Sequence, residues 1–152
     1  MNNNDYIKAL SEKGVLAFVP NGNSMWPTLK NGKHSVIIQP KTQRLNKYQV
    51  AFFTRADGSF VLHRVIDITE DGYLVCGDSQ LQPEKVLEER VVGVMTGYYL
   101  GDKFVDANSP KHLLKIERFY KRARTRKFRI KNFNFRLRLK NKLKRIYKKK
   151  GE

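Results

Sequence analysis

Three residues of this chain could together carry out nucleophilic attack on a carbonyl carbon. Ser24 lies in a stretch rich in glycine, asparagine and proline, His63 lies inside an apolar segment, and Asp78 directly follows a glycine. A serine hydroxyl, an imidazole that removes its proton and a carboxylate that orients the imidazole form the site of a serine hydrolase. The same residues also suit a turn serine, a core histidine and a turn-closing aspartate, so both interpretations stay open here.

The segment around Ser24 has the composition that a nucleophilic serine needs. Its hydroxyl must be exposed, and main-chain N–H groups must converge on the oxyanion that forms during attack. Glycine at position 22 permits a close approach of backbone to substrate. Gly22, Met25 and Pro27 are therefore candidates for substrate binding, although the segment could also be a plain turn covered by apolar side chains.

His63 lies in a predicted strand over residues 60–68, and the alternation of side chains places Val61, His63 and Val65 on one face. With an ordinary pKa of about 6.5, a histidine is mostly neutral at pH 7 and can act as a base without special burial. Asp78 is the first candidate for the carboxylate that orients His63, and Glu84 is the second.

The elements that must position these residues are mostly short strands. Residues 5–13 have the apolar spacing of a short amphipathic helix, and Asp-Gly and Gly-Asp pairs mark hairpin turns. Strands are predicted over residues 15–19, 35–39, 49–54, 60–68 and 73–76. The apolar run over residues 86–100 is broken at Gly93 and Gly97, and residues 98–105 are predicted to form a final hairpin. We expect His34 to be a solvent-exposed turn residue before the second strand. The motifs typical of nucleotide-binding loops and zinc sites do not occur, so we expect no cofactor and no metal.

Four motifs of the chain resemble, in order and in spacing, the S24/S26 superfamily of serine peptidases, which contains the signal peptidases and the self-cleaving repressors. The similarity covers about residues 10–106 and consists of Gly22-x-Ser24-Met25-x-Pro27-Thr28-Leu29, His63-Arg64-Val65-Ile66, Gly77-Asp78 and Val91-Val92-Gly93-Val94.

The resemblance implies a fold and an activity. The fold would be mainly β, a twisted sheet or barrel-like domain of the signal-peptidase and repressor type. The activity would be that of a serine endopeptidase acting on a peptide or a leader-type or signal-type substrate, with Ser24 as nucleophile, His63 as base and Asp78 as orienter. A histidine at the position of the base is similar to the endoplasmic-reticulum-type and sporulation-type signal peptidases, whereas a lysine at that position is typical of the leader peptidases and the repressors.

The charge distribution separates a second region from this domain. The net charge is +17, and residues 111–152 hold 19 Lys or Arg against 2 Asp or Glu, which accounts for all of it. Such a shift favours a near-neutral peptidase domain over residues 1–109 and a basic C-terminal tail over residues 110–152. We expect this tail to be helical, because Ser109-Pro110 is typical of a helix start.

Two partners suit a basic tail with interspersed apolar residues. An anionic membrane surface would attract its cations and accept its apolar side chains, whereas nucleic acid would use the cations alone. The alternative to the peptidase is therefore a nucleic-acid-binding protein with a repressor-like fold. No apolar stretch is long enough to span a membrane and no secretory signal begins the chain, so we expect a cytoplasmic protein, peripheral at a membrane.

Overall fold

The structure, a computed structural model, describes residues 3–149, with residues 3–4, 123–124 and 146–149 described by their backbone only. By internal contacts the chain divides into two compact units, Met1–Glu117 and Arg118–Glu152. The division falls inside a helix that begins at Pro110.

The first unit is built on one antiparallel sheet of eight strands. The strand order is β1-β2-β7-β3-β4-β5-β6, and β8 pairs with β7. Its elements are α1 (Asn3–Lys13), β1 (Leu16–Phe18), β2 (His34–Pro40), β3 (Val50–Thr54), β4 (Phe60–Thr69), β5 (Gly72–Cys76), β6 (Glu84–Leu87), a single 3₁₀ turn (Glu88–Arg90), β7 (Val91–Leu100) and β8 (Lys103–Asp106). The prediction of a mainly β domain with an N-terminal helix and a helical C-terminal segment is confirmed.

The sheet has an apolar core on each face. The first four residues of strand β3 are apolar and buried and contribute to both cores, with Val50 and Phe52 on one side and Ala51 and Phe53 on the other. In β4, His63 lies opposite Ala51 in the register. His63 therefore belongs to the second face, as the alternation of the sequence indicates, and the neighbouring Arg64 is directed to the first.

A buried ion pair joins the centre of the sheet to the loop after β5. Arg64 and Asp78 are both fully buried, and the Nε and Nη2 atoms of Arg64 donate to the two carboxylate oxygens of Asp78 at 2.8 Å each. Arg64 Nη1 also donates to the carbonyl of Tyr48 at 2.7 Å, and the Thr28 hydroxyl donates to Asp78. Four separate segments of the chain are thus held together at this pair.

The loop that carries Asp78 lies directly beneath the serine turn. The main-chain N–H and the hydroxyl of Ser79 donate to the Ser24 carbonyl at 2.8 and 3.0 Å. A Cβ atom on Gly77 would lie 2.7 Å from that same carbonyl oxygen, so the close approach of the two segments requires glycine.

The expectation that His34 is solvent-exposed is wrong. Strand β2 begins at His34, one residue earlier than the pattern indicated, and the inward positions of this strand are His34, Val36 and Ile38. The His34 side chain is consequently buried, and its ring stacks on Tyr98 with centroids 5.3 Å apart.

Two helices follow the sheet: α2 (Pro110–Lys121) and α3 (Ala123–Lys149). The predicted start of α2 is confirmed, since the carbonyl of Ser109 accepts from Leu113 N–H at 3.0 Å and its hydroxyl accepts from His112 N–H at 3.4 Å. Residues 133–139, in which apolar and polar side chains alternate as in a strand, lie within α3. Within residues 3–149, no helix combines the length and the apolarity that a bilayer crossing requires.

Replacing Asp78 by alanine is expected to destabilise the fold by about 3–5 kcal/mol, because the Arg64 charge would remain buried without its carboxylate. Urea unfolding followed by circular dichroism measures this. Asp67→Ala is the matched control, since Asp67 pairs with Lys47 at 3.5 Å on the surface and should change stability little. Equal losses in the two variants would contradict the structural role given to the buried pair.

Candidate active site

Ser24 lies in a compact turn that packs into the core on the first face of the sheet. Met25 and Leu29 are buried, and Leu29 N–H donates to the Met25 carbonyl at 2.8 Å. Gly22 has a φ of +112°, a backbone conformation that favours glycine, and its N–H donates to the Asn31 side chain at 3.1 Å. The turn therefore holds the half-buried Ser24 in a defined position.

The main-chain N–H groups of Ser24 and Met25 donate to no other group within residues 3–149. Two main-chain N–H groups without an acceptor, next to a serine hydroxyl, can form an oxyanion hole when a substrate oxygen lies within about 3 Å of them. The turn can thus supply both a nucleophile and donors for the negative charge that its attack creates.

His63 is almost completely buried, with 2% of its surface exposed. Its Nδ1 atom lies 2.7 Å from Glu84 Oε1, and the Phe53 ring packs beside it with centroids 6.0 Å apart. An ionised carboxylate can only accept a hydrogen bond, so Nδ1 must carry the proton and Nε2 must present its lone pair. In the described part of the chain, no group forms a hydrogen bond with Nε2.

Glu84 is itself held by an arginine. Arg55 donates from Nε and Nη2 to the two carboxylate oxygens of Glu84, at 3.0 and 2.7 Å. Burial alone would raise the pKa of Glu84, but the hydrogen bonds and charges of Arg55 and His63 outweigh burial and keep this pKa below its ordinary value. Glu84 is therefore ionised at neutral pH and remains an acceptor for His63.

The pKa of His63 lies below its ordinary value of 6.5. Burial is the main cause because it disfavours the charged imidazolium, and the nearby Arg55 acts in the same direction. The Glu84 carboxylate opposes this shift through its charge and its hydrogen bond. At pH 7 the ring is thus predominantly neutral, which is the form that accepts a proton.

The two acids proposed for orienting His63 have different partners. Asp78, the first candidate, uses both carboxylate oxygens to bind Arg64 on the other face of β4. Glu84, the second candidate, makes the contact with the His63 ring. The structure therefore places Glu84, and not Asp78, against the His63 ring, because consecutive residues of a strand point to opposite faces and Asp78 contacts Arg64.

Ser24 and His63 line one cavity of about 400 Å³. Most of its wall is apolar, and α1, β1, β3 and β4 each contribute aromatic rings to it: Tyr6, Phe18, Phe52 and Phe60. Gly22 and Met25, two of the candidate substrate-binding residues, also line this cavity, whereas the third, Pro27, is not among its lining residues.

No hydrogen bond joins the Ser24 hydroxyl to the His63 ring within the described chain. Serine–histidine hydrogen bonds in hydrolases are often long without substrate and shorten in the substrate complex. What the structure shows for Ser24 and His63 is that both side chains line the same cavity. Among residues 3–149 there is also no cluster of three or more histidine, cysteine, aspartate or glutamate side chains that could hold a metal ion.

Sequence reasoning missed Arg55 and Tyr6. Arg55 lies in a turn and differs in no visible way from the other arginines, and its place beside Glu84 depends on the pairing of β3 with β4 and of β5 with β6. Tyr6 lies in the segment that the sequence predicts only as a short amphipathic helix, yet its ring packs against Phe18, Phe52 and Phe60 with centroids 5.3 to 5.9 Å apart.

No family model, no curated protein and no solved structure matches this chain. The similarity to the signal peptidases and repressors remains a prediction from the sequence motifs.

Proposed function

We propose that this protein is a serine endopeptidase in which Ser24 is the nucleophile, His63 the general base and Glu84 the residue that orients His63. The observation that carries the proposal is the 2.7 Å contact between His63 Nδ1 and Glu84 Oε1 at the wall of the cavity that Ser24 also lines. This contact fixes the tautomer that a base needs and leaves Nε2 for the serine.

The reaction follows from these positions. Ser24 Oγ attacks the substrate carbonyl carbon while His63 Nε2 takes the hydroxyl proton, and the N–H groups of Ser24 and Met25 stabilise the oxyanion. The imidazolium then returns the proton to the departing amine as the C–N bond breaks, leaving an ester on Ser24. Water, deprotonated by His63, attacks this ester and releases the acid product and the free serine.

Arg55 and Glu84 act through His63. The imidazolium that forms in each half-reaction is costly in a buried position, and the negative charge of Glu84 lowers that cost. Arg55 keeps Glu84 ionised and fixed in orientation by its two hydrogen bonds. We therefore describe Glu84 and Arg55 as positioning residues.

The cavity supports an extended peptide with an apolar side chain next to the cleaved bond. The aromatic wall offers an apolar surface, and β1 stands at one end of the strand order, so its outer edge offers main-chain groups to a substrate strand. A leader-type or signal-type substrate, which the sequence resemblance implies, has this extended apolar character.

Ser24→Ala and His63→Ala should each reduce activity by at least about a thousandfold, because nucleophile and base act as one unit. A fluorophosphonate probe should label Ser24, with the site located by peptide mapping, and expression of wild type against Ser24→Ala should reveal new substrate N-termini by mass spectrometry. Ser11→Ala, on an exposed face of α1, is the control and should keep labelling and cleavage. New N-termini that persist with Ser24→Ala would refute the assignment.

The pH dependence of kcat/KM should follow the ionisation of His63. Because burial lowers the pKa of His63, the neutral base is present above an apparent pKa that lies below 6.5 and is lost as pH falls through it. We expect kcat/KM to rise through that value and to stay level to about pH 8.5. A rate still climbing above that pH would exclude His63 as the base.

Glu84→Gln should lower kcat by about 10²- to 10⁴-fold through loss of the correct tautomer and of imidazolium stabilisation. Since the carboxylate raises the pKa of His63, its removal should also shift the acid limb of the pH profile to lower pH. The matched comparison is Asp78→Asn, which should lower stability more than Glu84→Gln and leave the position of the acid limb closer to wild type. The reverse pattern would return the orienting role to Asp78.

A further inference from the structure

Helix α3 exposes a narrow stripe of large apolar side chains. At about 100° per residue, spacings of seven, four and four residues place four side chains within about 80° of the helix circumference. They are Phe128, Phe135, Leu139 and Leu143, with 69%, 65%, 49% and 46% of their surfaces exposed. Large apolar side chains in such a row, all exposed to solvent, indicate a surface that another phase or molecule covers.

Cations border this apolar stripe on both sides. Helix α3 holds 13 Lys or Arg and no Asp or Glu. The same rotation of about 100° per residue places the exposed cations in two rows beside the stripe. One row consists of Lys127, Lys131, Arg138, Lys142 and Arg145, and the other of Arg129, Arg136 and Lys140.

An apolar stripe bordered by cations favours an anionic bilayer surface over a second copy of the helix or nucleic acid as the partner of α3. A second copy of the helix would bring two rows of positive charge against two further rows, which like-charge repulsion disfavours. Nucleic acid neutralises the cations but gains nothing from leucines at the centre of the contact. A bilayer surface with anionic lipids satisfies both features, because headgroups pair with the cationic rows while the stripe enters the boundary with the acyl chains.

We propose that α3 binds anionic membranes by lying in the plane of the bilayer surface, with the Phe128–Leu143 stripe inserted and the cationic rows at the headgroups. The helix has too little apolar length to cross the bilayer, so it lies on the membrane instead of spanning it. This property is independent of the proposed peptidase activity and can be tested separately.

The first experiment measures binding of the full chain to vesicles of phosphatidylglycerol and phosphatidylcholine by cosedimentation. We expect binding to these vesicles and at least tenfold weaker binding to pure phosphatidylcholine. Phe135→Ser/Leu139→Ser leaves every charge in place and should weaken binding at least tenfold, since the stripe contributes by insertion. The matched control, Ile68→Ser/Leu87→Ser, removes two exposed apolar side chains of the first unit and should bind like wild type.

A second experiment reports on insertion itself. With anionic vesicles that contain brominated acyl chains, and with the native Trp26 replaced by phenylalanine, the single tryptophan of Phe135→Trp should be quenched more strongly than that of Asn134→Trp, which lies off the stripe. Three outcomes would overturn the proposal: equal binding of the wild type and Phe135→Ser/Leu139→Ser, equal quenching at positions 134 and 135, or release of the protein from vesicles by duplex DNA at equal phosphate concentration. The last outcome would favour nucleic acid as the partner.

Discussion

The buried pair of Arg64 and Asp78 is the constraint on which the arrangement of the first unit depends. Two fully buried charges are costly to remove from water, and the cost is offset only where hydrogen bonds and mutual attraction satisfy both groups. Here two parallel hydrogen bonds, the Tyr48 carbonyl and the Thr28 hydroxyl supply that compensation. Any displacement of the loop after β5 would break this set, so the loop is fixed against the sheet.

This fixed loop supports the serine turn. Ser79 donates to the Ser24 carbonyl, and the absence of a side chain at Gly77 lets the two segments meet. Because the Ser24 carbonyl is already used in these contacts, the turn directs its unpaired N–H groups elsewhere, where a substrate oxygen could meet them. The ion pair therefore helps to fix the position of the Ser24 turn, whose Met25 and Leu29 belong to the core on the same face of the sheet as Arg64.

Consecutive residues of β4 bind two different carboxylates on opposite faces of the strand. Arg64 binds Asp78 on one face, and His63 binds Glu84 on the opposite face. Each carboxylate has an arginine partner: Asp78 is sealed against Arg64 without solvent, whereas Glu84 shares its Oε1 atom between Arg55 and His63. Asp78, whose hydrogen bonds are all made within the fold, stabilises the fold. Glu84, which lies beside the cavity, can stabilise a positive charge on His63.

The sequence by itself determined the parts of this protein that depend on local pattern. The alternation of side chains predicted the two faces of β4, and Gly-Asp and Asp-Gly pairs predicted the hairpin turns. Ser109-Pro110 predicted the start of α2, and the excess of Lys and Arg located the basic tail. Each of these features depends on residues that are close together in the chain. The tertiary structure alone decided which acid contacts His63. Asp78 and Glu84 both follow β5, and the pairing of β5 with β6 brings Glu84 to the face of the sheet on which His63 lies. It also decided that His34 is buried and that Arg55 and Tyr6 lie at the cavity, because long-range strand pairing and packing, which no local pattern encodes, bring those side chains there.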